Sequence, residues 1–247
     1  MPSVDLNADV GEGSNLDTDL LDTVTSASVA CGFHAGDPLL MRRTVHEAAH
    51  RGVAVGAHPS YPDRPGFGRR ELDIAPEQIA ADVLYQVGAL QALAAASGAR
   101  VRYVKPHGAL YHRMAGDEAS ARAVVEAVRN AGALVLLAPP AAVVLDVAAA
   151  LGVPTATEAF ADRAYRGDGT LVARSEPGAV LTDPAEVARR ALVLVVDKRM
   201  PTVDGTVLEL EASSICVHSD TPGSGEIARA VRRMLESAGV TVAPFAP

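Results

Sequence analysis

The stretch HRGVAVGAHPSYPD (50–63) contains one full unit of the chain's plan. Gly52 stands just past a helical pattern, where a residue free to take the left-handed conformation closes the last turn. VAVGA (53–57) is then a short β-rich run, and the residues from His58 to Asp63 place imidazole, hydroxyl and carboxylate groups at its end. The order of helix, glycine and strand recurs at Gly98 before ARVRYV, Gly132 before ALVLLA, Gly152 before VPTAT and Gly239 before VTVAP. Repeated helix-to-strand alternation predicts a parallel sheet.

Six of the seven strand-like runs end in charged or imidazole groups: DLNADVGEG (5–13), ACGFHAGDP (30–38), GAHPSYPD (56–63), VKPHGALYH (104–112), TEAFADRAY (157–165) and ICVHSD (215–220). In a barrel of parallel strands the C-terminal strand ends share one face, so clusters scattered along the chain become one site. The predicted fold is an α/β barrel, and 247 residues with 49% hydrophobic content suit a single domain spanning 1–247. An enzyme is the function class this geometry implies.

The helices support that frame. Pro76 suits a first helical position, and Ile79, Val83, Val87, Leu90 and Ala94 form one apolar stripe. Asp183, Pro184 and Glu186 make a start signal for a helix buried through Val187, Ala191, Leu194 and Val195. Ile227, Val231, Met234 and Leu235 repeat the pattern near the C-terminus. Residues 164–182 form a long connection of the kind that serves as a lid. Asp204-Gly205 between β-rich flanks predicts a hairpin.

The formal charge of −8 argues against nucleic acid, whose binding needs a basic surface. Asp5 and Asp9 stand where a signal peptide needs an apolar run, and no run of 18 uncharged apolar residues follows, so no membrane role is expected and the default is a soluble cytoplasmic protein. Cys31 and Cys216 lie in apolar strand patterns, where a free thiol behaves as a small buried hydrophobe. Lysine occurs only as Lys105 and Lys198. The first, at a strand end, invites a chemical role against the alternative of a surface salt bridge.

His46-Glu47-Ala48-Ala49-His50 matches the zinc-protease spacing of two histidines one helical turn apart. Its apolar stripe, Met41, Val45, Ala48 and Ala49, leaves both histidines on a flank expected to be wet. His34, His58, His107 and His218 instead follow apolar runs at strand ends. One such histidine is more often structural; four, joined by Asp9, Glu12, Asp37, Glu158, Asp162 and Asp220, point to proton-transfer chemistry or metal-assisted hydrolysis. Asp9, His34 and His58 are the first ligands to test for a divalent metal. Arg163 can fork onto a substrate carboxylate or pair structurally with Asp162. Arg64, Arg69 and Arg70 read as a solvated turn near the mouth. No GxxxxGKS/T or strand-linked GxGxxG stretch offers a phosphate cradle.

With DLNADVGEG, ACGFHAGDP, GAHPSYPD, KPHGALYH, EAFADR and CVHSD in that order, the chain resembles the LamB/YcsF family over nearly its whole length. His112 and Ser219 stand where that family is expected to favour asparagine and glycine. The resemblance implies an irregular seven-stranded (β/α) TIM-like barrel of the glycoside hydrolase/deacetylase type. It also implies the role of the A component of an ATP-dependent 5-oxoprolinase, opening 5-oxoproline to L-glutamate with hydrolysis of ATP to ADP and phosphate, alongside subunits B and C. On that reading Lys105 stabilises developing negative charge, His107 and His58 handle protons, and His34 belongs to the same catalytic group. Asp9, Glu12 and Glu158 orient them or activate water, Asp162 is counted with the catalytic residues, and Arg163, His218 and Asp220 bind substrate. The competing readings are a metal-dependent deacetylase acting on a carbohydrate amide and a substrate-binding component without chemistry of its own.

Overall fold

The computed structural model describes residues 2–13 and 17–246. On the first strand, β1 (Ser3–Val10), Val4, Leu6, Ala8 and Val10 alternate with Asp5, Asn7 and Asp9, and both sets are buried. The apolar set joins the main hydrophobic cluster, while the polar set meets side chains from other strands. Period-two alternation therefore separates an apolar exterior under the helices from a polar barrel interior.

β1 is followed in space and in sequence by β2 (Ser26–Ala30), β3 (Ala54–His58), β4 (Val101–Val104), β5 (Val135–Ala138) and β6 (Thr155–Phe160), all parallel. β7 (Arg199–Pro201) and β8 (Val207–Glu209) form an antiparallel hairpin around Asp204-Gly205, as the sequence predicts. β9 (Ser214–Val217) pairs with both β6 and β1, which closes a seven-stranded barrel. β10 (Thr241–Val242) adds to the outer start of β1, and Phe245 behind it packs on Tyr103 with ring centroids 4.9 Å apart at the barrel base.

Around the barrel lie α1 (Asp17–Leu21), α2 (Pro38–His50), α3 (Pro76–Ala96), α4 (Gly108–Gly116), α5 (Glu118–Ala131), α6 (Val143–Leu151), α7 (Pro184–Asp197) and α8 (Ser224–Ser237). The five predicted glycine stops fall between α2 and β3, α3 and β4, α5 and β5, α6 and β6, and α8 and β10, each with positive φ. The predicted stripe of α3 is buried, although this helix is long and apolar enough by length and composition to cross a membrane. Leu84 and Tyr85 on its other face are exposed. On α7 and α8, Val195 and Met234 are only half-buried, while the rest of each predicted stripe is inside. On α2 the buried face is Met41, Thr44, Val45 and Ala48; the side chain of His46 is 66% exposed and His50 also faces out.

The 164–182 connection folds back on itself through bridges between Arg163 and Val180 and between Tyr165 and Leu171. Residues 168–175 line the mouth of the barrel. Five of the six clustered strand ends, those of β1, β3, β4, β6 and β9, contribute to the wall of one cavity of about 1150 Å³ at that mouth.

Candidate functional site

Lys105 follows β4 directly and is buried at the centre of the site. Its Nζ donates to Asp9 Oδ1 at 2.9 Å and to Asn7 Oδ1 at 3.3 Å, and stands 3.0 Å from Glu158 Oε2 and 3.1 Å from the Cys216 sulfur. Burial works against the ammonium, but Asp9, Cys216 and Glu158 outweigh it and hold Lys105 charged well above the usual lysine range. Asp9 responds in the opposite sense. Burial raises its pKa, yet His58 and Lys105 bring the carboxylate well below its ordinary value. The surface salt bridge weighed for lysine describes Lys198, which meets Glu211 at 2.6 Å in the open.

A second group lies beside this one. His58 Nε2 is 3.5 Å from Asp9 Oδ2 and 2.9 Å from His107 Nδ1. His34 stacks on His107 with centroids 3.8 Å apart and 4° between planes, and its Nε2 lies 3.2 Å from Glu12 Oε1. Burial pushes both His34 and His107 below the ordinary histidine pKa, so these rings are neutral near pH 7. Ser219 donates to the other Glu12 oxygen at 3.1 Å, which gives this departure from the expected glycine a contact inside the site.

The loop DRPGFGRR lies over these rings through Gly68. A Cβ there would sit 2.9 Å from His34 Cβ and 3.0 Å from His107 Cδ2, and φ is +66°, so only glycine suits the approach. In the same loop Arg64 donates to the Gly32 and Gly36 carbonyls, Arg70 pairs with Asp63, and Arg69 reaches the cavity.

The third group is an aspartate and histidine pair. Asp162 accepts from His218 Nδ1 at 2.9 Å, from the His218 backbone N–H at 3.2 Å and from the Thr221 hydroxyl at 2.7 Å. Burial raises the Asp162 pKa, but His218 and these donors leave it below its usual value. The carboxylate holds the proton on Nδ1 and leaves Nε2 as the basic nitrogen, while Phe160 stacks on the ring at 4.9 Å.

Arg163 takes neither sequence-derived role in full. Its guanidinium donates to the carbonyls of Val172 at 2.6 Å and Ala179 at 3.2 Å, fastening the mouth loop, instead of forking onto Asp162. It still lines the cavity with Arg69 and Arg174, which meet Asp220 at 2.7 and 3.4 Å. Burial and the neighbouring Arg174 bring the Arg163 pKa to about 10. Three guanidiniums therefore gather at this part of the cavity, with Asp220 between two of them.

Asp37 leaves the site: it is exposed and caps α2 by accepting from Leu39 and Leu40 N–H. The expected ligand set Asp9, His34 and His58 is also regrouped. Glu12, His34, His58 and His107 place four donor atoms within 4.8 Å of one another, while Asp9 groups with Cys216 and His218. Asn7, Cys216, Arg174 and Tyr111 were not singled out from sequence. The Tyr111 hydroxyl and Glu158 Oε1 are buried on the cavity wall without a hydrogen bond of good geometry, although they interact electrostatically.

Residues 4–247 match the LamB/YcsF family. The chain is 52% identical to a 5-oxoprolinase A-type subunit of Pseudomonas syringae pv. tomato, across 100% of this chain and 98% of that one. The crystal structure of a lactam utilization protein from Thermus thermophilus superposes with a TM-score of 0.92 at 45% identity, covering 98% of this chain and 100% of that one. A family 4 carbohydrate esterase from Streptomyces lividans shares the fold alone, with a TM-score of 0.53 at 11% identity over 100% of this chain and 94% of that one.

Proposed function

The chain belongs to the LamB/YcsF family, and from that premise we propose that it is the component of an ATP-dependent 5-oxoprolinase that binds and opens the lactam, working with subunits B and C. The observation that carries this reading is a buried ammonium, Lys105, set between two carboxylates in a cavity that Arg69, Arg163 and Arg174 also line. These arginines suit the carboxylate of 5-oxoproline. A cavity of about 1150 Å³ also leaves room beside so small a lactam for a phosphoryl donor.

A lactam carbonyl is a resonance-stabilised amide and a poor electrophile. Transfer of the γ-phosphoryl group to the lactam oxygen, with ADP as leaving group, gives a carbon that water can attack; the C–N bond then breaks as the ring nitrogen takes a proton, and a second water releases phosphate from the acyl phosphate to leave glutamate. In this reading Lys105 neutralises negative charge on the oxygens of the transferring phosphoryl group. His218, oriented by Asp162, is the residue best arranged to take the proton from water. Tyr111 and Glu158 Oε1, which interact with each other on the cavity wall, offer a donor and an acceptor to the lactam carbonyl and N–H.

A second reading, metal-assisted amide hydrolysis, is favoured by one observation: the convergence of His34, His58 and His107 on Glu12. Neutral imidazoles and a carboxylate are the ligand types of zinc-class ions, so the residues suit such a group. Bound there, a divalent ion supplies Lewis-acid polarisation of a carbonyl or a water of lowered pKa.

The test is 5-oxoproline-dependent ATP hydrolysis and glutamate formation by the chain alone and with its B and C partners. The proposal expects activity only in the mixture. Partners that turn over equally well without this chain would refute it.

A further inference from the structure

Each of the three clustered histidines has one ring nitrogen held by a fixed oxygen. His58 Nδ1 lies 2.7 Å from the backbone carbonyl of Lys105, and His107 Nε2 lies 2.9 Å from that of Phe67. A carbonyl only accepts, so the proton is on the nitrogen facing it. His34 Nδ1 lies 2.9 Å from the Ser60 hydroxyl, which itself stands 2.9 Å from the Tyr61 carbonyl.

The remaining nitrogens, His34 Nε2, His58 Nε2 and His107 Nδ1, are the ones left to take a ligand. They turn toward one another and toward Glu12. His58 Nε2 and His107 Nδ1 are 2.9 Å apart, and a single oxygen, Glu12 Oε1, lies 3.2 Å from His34 Nε2 and 3.5 Å from His107 Nδ1. Lone pairs this close repel unless a proton or a metal cation lies between them. A proton in the 2.9 Å contact between His58 and His107 makes an imidazolium inside a trio whose centroids are 3.8, 4.8 and 5.5 Å apart and leaves the Glu12 contacts as they are. One metal ion relieves them together.

We propose that Glu12, His34, His58 and His107 bind one divalent transition ion of the zinc class. Zinc to nitrogen bonds of about 2.0–2.1 Å in a tetrahedral site separate neighbouring donors by roughly 3.3 Å, and the contacts of 2.9, 3.2 and 3.5 Å straddle that spacing. The oxygens on the far nitrogens are the outer partners that metal-bound histidines use to fix their tautomers. Closing on the ion tilts His34 and His107 out of their parallel stack, since lone pairs of stacked rings run side by side. Asp9 stays outside the donor set, with one oxygen on Lys105, and adds negative charge next to it. The inference stands apart from the lactam reading, because the isolated chain binds the ion whichever amide it serves.

The experiment strips the full chain with a chelator and titrates it with Co(II), read by visible absorption, and with Zn(II), read calorimetrically. About one ion per chain is expected, with a four-coordinate cobalt spectrum. Ser60→Ala, which touches no ion, should weaken binding by roughly 10–100-fold, and His107→Ala should weaken it further. In the unsubstituted protein, Zn(II) should move the ring-nitrogen NMR signals of His34, His58 and His107 and leave those of His46 and His50 unchanged. Absence of saturable binding at millimolar metal overturns the proposal, as does uptake that shifts His46 and His50 instead or that persists undiminished in His107→Ala.

Discussion

Asp5 and Asp9 lie four residues apart on β1, both buried in the same barrel interior, and they are tuned in opposite directions. At the base, Asp5 meets hydroxyls: Thr25 at 2.7 Å, Ser26 at 2.6 Å and Ser214. Burial raises its pKa to about 6 against those hydrogen bonds. At the mouth, Asp9 meets Lys105 and His58, and its carboxylate is held anionic although it too is buried. The difference teaches that depth in this barrel does not set the charge of a carboxylate. A cation supplied by the facing strand does: Lys105 faces Asp9, whereas hydroxyls face Asp5.

Removing that cation should produce the largest effect. Lys105→Ala leaves Asp9 facing His58 and Glu158 facing the Asn7 amide without their shared ammonium, and breaking a buried pair this way costs about 3–5 kcal/mol. Turnover in the reconstituted complex should fall by roughly 10²–10³-fold if the ammonium stabilises developing charge. Denaturant unfolding measures the first and 5-oxoproline-dependent ATP hydrolysis the second. Lys105→Met combined with Asp9→Asn removes two of the charges together; it should recover stability and not turnover. A Lys105→Ala chain as stable as the native one would make mouth and base alike and break the comparison.

The base gives a smaller effect with a different signature. The folded pKa of Asp5, about 6, exceeds the unfolded value of 3.8, so the folded state holds the extra proton between those limits. Stability should therefore fall as pH rises from about 4 to 6 and stay lower above it, by about 3 kcal/mol. Asp5→Asn cannot ionise. The difference in unfolding free energy between native and variant, measured from pH 4 to 7, should carry that slope with the variant gaining at the high end. A difference independent of pH would show that the hydroxyls alone keep Asp5 ionised.

These contrasts show what the sequence made legible. Helix, glycine and strand punctuation is local, so the barrel and its strand ends could be read along the chain. Lys105, His58 and His107 followed because each directly ends or succeeds an apolar run. Cys216 and Asn7 did not, because their place beside Lys105 depends on the register that pairs Asn7 with Cys216 across more than two hundred residues. Arg174 reaches the site only through the fold of the 164–182 loop, which has no periodic pattern to read. Asp37 was misplaced for a local reason: an aspartate just before Pro38 is also a helix cap, and the cap is what forms. Arg163 had its charge read correctly and its geometry missed, since the carbonyls it holds belong to residues 9 and 16 positions away.

The smallest expected effect separates motif from position. His46 and His50 have the spacing of a zinc-protease helix, yet His46 is 66% exposed and its nearest carboxylate, Glu47, lies 3.9 Å away on the adjacent residue. α2 joins β2 to β3 on the outside of the barrel, and its C-terminus leads into the start of β3, so this pair faces away from the mouth. His46→Ala with His50→Ala should change stability by no more than about 0.5 kcal/mol and turnover by less than roughly twofold, as substitutions on a solvated face do. Zinc titration of the double variant should match the native chain. A large loss in either measurement would give the helix a role that its exposure denies and would place chemistry on the outer face. With no such loss, the four strand-end histidines differ from these two by what faces them, the same rule that separates Asp9 from Asp5.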